Sequence, residues 1–156
     1  MPKKNPDIEL IGEYINNKTP TKHRCKKHNE LFLISPQSAL KGCGCLHCRG
    51  SKGEKYIGEW LNFHKIMYET QKVFAECKDK HPLLFDFYLP EYNCCIEYDG
   101  KQHFEPIEWF GGQKSLEYTQ KHDRIKTKYC KNNNIKLFRI SYLENIEEKL
   151  NNFLFI

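Results

Sequence analysis

The sequence predicts an α/β chain in two parts: a small β-rich N-terminal segment and a larger C-terminal unit with the order α-β-β-β-α-β-α. Three observations carry this reading. Ile57, Trp60, Leu61 and His64 recur at helical spacing. Three strand-like runs follow, near residues 66–73, 83–88 and 94–98. A long helical stretch, roughly residues 115–132, then leads to a fourth run at 135–140 and a last helix. This order describes an α/β sandwich around a mixed sheet. A chain of 156 residues is long enough for one core plus a small appendage.

Each element has a local reason. Residues 9–15 (ELIGEYI) read as a strand and residues 16–20 as a turn. A second short strand runs into Cys25, and residues 31–34 form a third. Ser35 caps a short helix over residues 36–40, with Pro36 at its first position. Gly42 and Gly44 permit a tight turn around Cys45. Residues 49–53 (RGSKG) read as a linker, which places the domains at 1–51 and 52–156. A helix over residues 54–64 puts Glu54 on the inward face with Ile57. Gly111 and Gly112 lie in the loop before the long helix, and the last helix carries Leu143, Ile146, Leu150 and Phe153 on one side.

Composition excludes several classes. Aromatic residues make up 13% of the chain, too many for a disordered protein. No run of 18 apolar residues offers a membrane span, and the first ten residues have no apolar signal core. A cytoplasmic location is expected. The net charge is +5, and residues 1–51 supply all of it, with nine Lys/Arg against four Asp/Glu. A basic module joined to a neutral, carboxylate-bearing one fits a nucleic-acid binder joined to a catalytic domain.

The basic module holds the first constellation. Four of the eight cysteines, Cys25, Cys43, Cys45 and Cys48, lie within 24 residues. Cys25-x2-His28 and Cys45-x2-Cys48 are two knuckles separated by sixteen residues, the sequence form of a structural Zn²⁺ site. Cys43, His23 and His47 are spare candidates, and the one-residue spacing of Cys43 to Cys45 does not suit a knuckle. A closed four-ligand zinc performs no chemistry. Its role is to hold Lys22, Arg24, Lys26, Lys27 and Lys41 as a platform for phosphates.

The second constellation lies in PLLFDFYLPEYNCCIEYDGKQHF, residues 82–104. A hairpin centred between Glu91 and Tyr92 sets Asp86 opposite Glu97. Alternation places Glu97 and Asp99 on one face, with His103 just beyond Gly100. Like charges in direct opposition are unfavourable, so the expectation is a divalent cation, Mg²⁺ or Mn²⁺, between them. Alternation alone leaves open a sheet face turned to solvent. Asp123 shares a helical line with Leu116 and Cys130, and Lys101 and Lys126 are possible phosphate contacts or ordinary surface lysines.

The segment LLFDFYLPEYNCCIEYDGKQHF, followed by HDRIKTKYCKNNNIKLFRI, resembles nucleases of the PD-(D/E)XK restriction-endonuclease-like superfamily. The resemblance is to the branch of very-short-patch-repair endonucleases and phage homing endonucleases, with their Glu, Asp, variable, His, Asp pattern. It implies a restriction-endonuclease-like α-β-β-β-α-β sandwich behind the zinc ribbon. It also implies catalytic roles for Glu54, Asp86, Glu97, Asp99, His103 and Asp123. Asp86, Glu97 and the Tyr98 backbone carbonyl would hold Mg²⁺ or Mn²⁺, and Lys101 would join the nucleic-acid contacts. Two departures stand out: Asp99 occupies the position of the superfamily's usual lysine, and Lys101-Gln102 replaces the repair enzymes' Phe-Trp pair.

The implied activity is hydrolysis of phosphodiester bonds in double-stranded DNA, of nicking or homing type, in the cytoplasm of a bacterium or a virus-infected cell. The alternatives are a non-catalytic zinc-ribbon nucleic-acid-binding protein and an RNA-directed nuclease.

Overall fold

The computed structural model describes residues 7–40 and 44–155, except for the side chains of residues 46 and 47. Lys41, Cys43 and the His47 side chain thus lie outside the described residues. The chain divides into two compact units, Met1–Lys55 and Tyr56–Ile156. The division falls inside a helix rather than in the 49–53 segment.

The first unit has three antiparallel strands in the order β1 (Ile8–Leu10), β2 (Thr21–Cys25) and β3 (Glu30–Ile34), followed by short helices α1 (Pro36–Leu40) and α2 (Leu46–Arg49). The first strand is shorter than residues 9–15. The N–H groups of Ile11 and Gly12 both donate to the Lys22 carbonyl, at 2.9 and 2.8 Å, so the ladder breaks in a bulge. A Cβ on Gly12 would lie 3.0 Å from the Lys22 nitrogen. Alternation along β2 buries Thr21, His23 and Cys25 and exposes Lys22 and Arg24.

The second unit is built around a four-stranded sheet in the order β4 (Glu69–Lys78), β5 (Pro82–Leu89), β6 (Cys94–Asp99), β7 (Lys136–Ser141). Helix α3 (Lys52–Phe63) precedes the sheet, α4 (Gly112–Asn132) links β6 to its parallel neighbour β7, and α5 (Ile146–Leu154) closes the chain. Helix α3 starts two residues before 54 because Ser51 Oγ accepts the Glu54 N–H at 3.2 Å. It ends with Lys65 left-handed (φ 56°), and the Lys65 and Ile66 N–H groups return to the Asn62 and Leu61 carbonyls. That cap uses up Ile66, so β4 begins at Glu69 and not at 66. Leu143 is exposed and lies outside α5, whose start is capped by Asn145 Oδ1 accepting from the Glu148 N–H at 2.9 Å.

The hairpin register is the expected one: Phe87 faces Ile96, Tyr88 faces Cys95 and Leu89 faces Cys94. The turn is a 3-10 segment, Pro90–Tyr92, closed by Asn93 at φ 44°. Neighbouring residues of β6 serve opposite faces. Ile96 packs with Ile57, Trp60 and Leu61 of α3, Ile140 of β7 and Leu150 of α5. Cys95 packs with Phe85 of β5 and with Ile125, Tyr129 and Cys130 of α4. The sheet is therefore covered by α4 on one face and by α3 and α5 on the other. Among the described residues, no helix is long and apolar enough to cross a membrane.

Candidate functional site

In the first unit the two knuckles meet. Cys25 lies at the end of β2, His28 in the following turn, and Cys45 and Cys48 flank the start of α2. His28 Nδ1 is 3.4, 3.3 and 3.5 Å from the sulfurs of Cys25, Cys45 and Cys48, and the sulfurs of Cys25 and Cys48 are 3.7 Å apart. A tetrahedral zinc with ordinary bond lengths has edges of roughly 3.6 Å between nitrogen and sulfur and about 3.8 Å between sulfurs. The four groups match a zinc ion in both donor chemistry and spacing, and could hold one. Burial pushes the Cys45 thiol up to about 12 and also raises Cys48, whereas hydrogen bonds from its neighbours hold Cys25 below the ordinary value against burial. Gly44 is required for the approach, because a Cβ there would lie 2.7 Å from Cys48 Cβ. His23 is turned elsewhere: its Nδ1 bonds the Thr21 carbonyl at 2.8 Å, and its ring lies beside Phe32. Lys22, Arg24, Lys26 and Lys27 are all exposed.

Glu54 also belongs to the first unit. It is half-buried in the first turn of α3, and its carboxylate folds back towards Gly50.

The second unit gathers Asp86, Glu97, Asp99, His103 and Asp123. Phe85 packs towards α4 and Phe87 towards α3 and α5, so β5 rolls over at Asp86 and the ladder to β6 opens there. Side chains replace the missing ladder bonds. Asp86 Oδ2 accepts the Tyr98 N–H at 2.8 Å, and Glu97 Oε1 accepts the Asp86 N–H at 3.2 Å. Glu97 is 3% exposed and Asp99 6%, so this face is not turned to solvent. Lys101, by contrast, is exposed and paired with Glu105 at 3.2 Å.

Two basic residues supply counter-charge to these carboxylates from within the protein. Lys126 Nζ lies 2.9 Å from Glu97 Oε2 and 5.2 Å from the centre of the Phe85 ring. Its side chain is 12% exposed, so it is no surface lysine. Arg139 donates to Asp99 Oδ1 at 2.7 Å and to Asp123 Oδ1 at 3.2 Å. Burial still pushes the Glu97 carboxyl above its usual range, against the pull of Lys126.

His103 follows β6 in a 3-10 turn, Lys101–His103. Its Nδ1 lies 2.8 Å from Asp123 Oδ2 and 3.6 Å from Asp99 Oδ1. A carboxylate only accepts, so Nδ1 carries the hydrogen. Burial alone would lower the His103 pKa, but the Asp123 bond and the charges of Asp123 and Asp99 carry it above the ordinary value. Burial would raise Asp123, yet His103 and Arg139 hold it below the usual carboxylate range.

The donor set suits a hard cation. Asp86, Glu97 and the Tyr98 carbonyl offer oxygen only, the donor type that Mg²⁺ and Mn²⁺ prefer. Arg139 was missed in the sequence, although it alternates with Leu137 on β7 and stands opposite Glu97 in the parallel ladder. Lys126 lies one turn beyond Asp123 on the line that ends at Cys130, which is the signal that could have promoted it.

No family model, curated protein or solved structure matches the chain.

Proposed function

We propose that the chain is a metal-dependent DNA endonuclease with the restriction-endonuclease-like sandwich, in which the zinc-held basic module helps bind the substrate. The observation that supports it most is the hydrogen-bonded His103–Asp123 pair beside Asp99, at the end of the strand whose Glu97 and Tyr98 are hydrogen-bonded to Asp86. Asp86, Glu97 and the Tyr98 carbonyl would hold Mg²⁺ or Mn²⁺, which when bound supplies polarisation of the scissile phosphate and a more acidic attacking water. Asp123 fixes the imidazole with Nε2 outward. The raised proton affinity of His103 suits donation from Nε2 to the leaving oxygen. Lys126 holds the Glu97 carboxylate and places an ammonium beside the phosphate site. Lys22, Arg24, Lys26 and Lys27 contact the backbone phosphates of the substrate.

A second reading, a non-catalytic nucleic-acid-binding module, draws on the same Lys126 and Arg139, which already balance much of the carboxylate charge. Labelled DNA and RNA duplexes of one sequence, incubated with Mg²⁺ or Mn²⁺, separate the readings. Selective DNA cleavage that Asp86→Ala and His103→Ala abolish supports the endonuclease. Cleavage of RNA alone shifts the substrate. Salt-dependent binding with neither duplex cut, and indifferent to Asp86→Ala, supports the binding module.

A further inference from the structure

Arg139 links the two carboxylates that face His103. Its guanidinium reaches Asp99 Oδ1 from one nitrogen at 2.7 Å and Asp123 Oδ1 from another at 3.2 Å. Asp123 thus divides its oxygens, one for Arg139 and one, at 2.8 Å, for His103 Nδ1. Asp99 Oδ1 lies 3.6 Å from the same ring nitrogen and competes for it. The two acids come from different elements, β6 and α4, and a planar fork can hold both in fixed directions where a single ammonium cannot.

We propose that Arg139 is the positioning residue of this site: it ties Asp99 back, leaves Asp123 as the sole acceptor for the imidazole, and cancels one of the two carboxylate charges facing it. The catalytic consequence rests on the endonuclease reading; the effect on His103 does not. The charged groups facing the imidazole are Asp99 from β6, Asp123 from α4 and Arg139 from β7. Gln120 of α4 donates to the His103 carbonyl, and Lys101 and Glu105 pair with each other around its own turn.

The test is an NMR titration of the His103 ring nitrogens in the zinc-loaded full chain, run on wild type, Arg139→Met, Arg139→Lys and Arg139→Met/Asp99→Asn. Loss of the cation in Arg139→Met should move the His103 midpoint up by about one pH unit. Adding Asp99→Asn should bring it back down. Arg139→Lys keeps the charge, so its midpoint should stay near wild type while the neutral ring loses its uniform Nδ1–H tautomer. In parallel cleavage assays Arg139→Lys should lower kcat with KM unchanged, and the pH-rate limb of Arg139→Met should follow its NMR midpoint. If wild type cuts nothing, the endonuclease reading fails and the titrations still decide the role of Arg139. An unchanged midpoint in folded Arg139→Met, or an unchanged tautomer in Arg139→Lys, overturns the proposal. Should Arg139→Met not fold, the Arg139→Lys tautomer decides alone.

Discussion

The two units solve the same problem, a cluster of groups that cannot sit together unaided, in opposite ways. In the first, three thiols and an imidazole converge at the spacing of a tetrahedral metal site and could hold a zinc ion. In the second, acidic groups converge, but Lys126 and Arg139 are inserted from α4 and β7. The lesson is that clustered ligand types imply a metal only after the local cations have been counted. With zinc bound, the first unit would depend on its ion for folding, whereas Lys126 and Arg139 already supply counter-charge to the carboxylates of the second.

The sharpest way to break this comparison is to remove zinc. Structural zinc contributes roughly 10–16 kcal/mol to such modules. Chelation should unfold the first unit, seen as lost amide dispersion for residues 7–55, and leave the signals of the sheet β4 to β7 in place. Elemental analysis should find about one zinc per chain, reduced in Cys45→Ser. Joint collapse of both units on chelation would contradict the comparison.

Next in size is Lys126→Met. It leaves Glu97 buried without its ammonium and should cost about 3–5 kcal/mol in denaturant unfolding of the second unit, with zinc content unchanged. Because burial already raises the Glu97 pKa, that cost should grow as pH rises through the folded-state value, where the acid must ionise.

A smaller effect follows from the His103–Asp123 pair. The raised His103 pKa adds stability that is complete below the unfolded value near 6.5 and is lost as pH rises through the folded value. The lowered Asp123 pKa adds stability above about 3.8 and loses it as pH falls through the folded value. The pair should thus support the second unit most between those limits. In His103→Asn the melting temperature should fall within the window and lose its decline at the alkaline edge, and a curve identical to wild type would show that the pair contributes nothing.

The smallest effects belong to the platform. Lys22→Ala and Arg24→Ala should each weaken DNA binding evenly across sequences and reduce its salt slope by about one. Unchanged slopes would detach the basic face from DNA.

Much of this was legible in the chain. The knuckle spacing named four residues that the fold brings together, and the hairpin register was fixed by the alternation of Phe87, Leu89, Cys94 and Ile96 around one turn. Element starts were less legible, because they depend on single hydrogen bonds: the Ser51 cap, the Lys65 cap and the Gly12 bulge each moved a boundary. Arg139 was illegible for a different reason. An arginine on an otherwise apolar strand shows which face it occupies only once its neighbours are known, and its partners lie 40 and 16 residues away. Asp99, whose acid on a buried strand face is unexplained by alternation, becomes intelligible as the partner of Arg139.

The proposed activity of the second unit is DNA cleavage with a metal held at Asp86. Its most direct test is conversion of supercoiled plasmid to nicked circles by the zinc-loaded protein in Mg²⁺ or Mn²⁺, with Asp86→Ala run beside it. Wild type should nick the plasmid, Asp86→Ala should not, and neither should do so in excess magnesium chelator that spares the zinc. Plasmid left intact by wild type under every metal, or cut equally by Asp86→Ala, would contradict it.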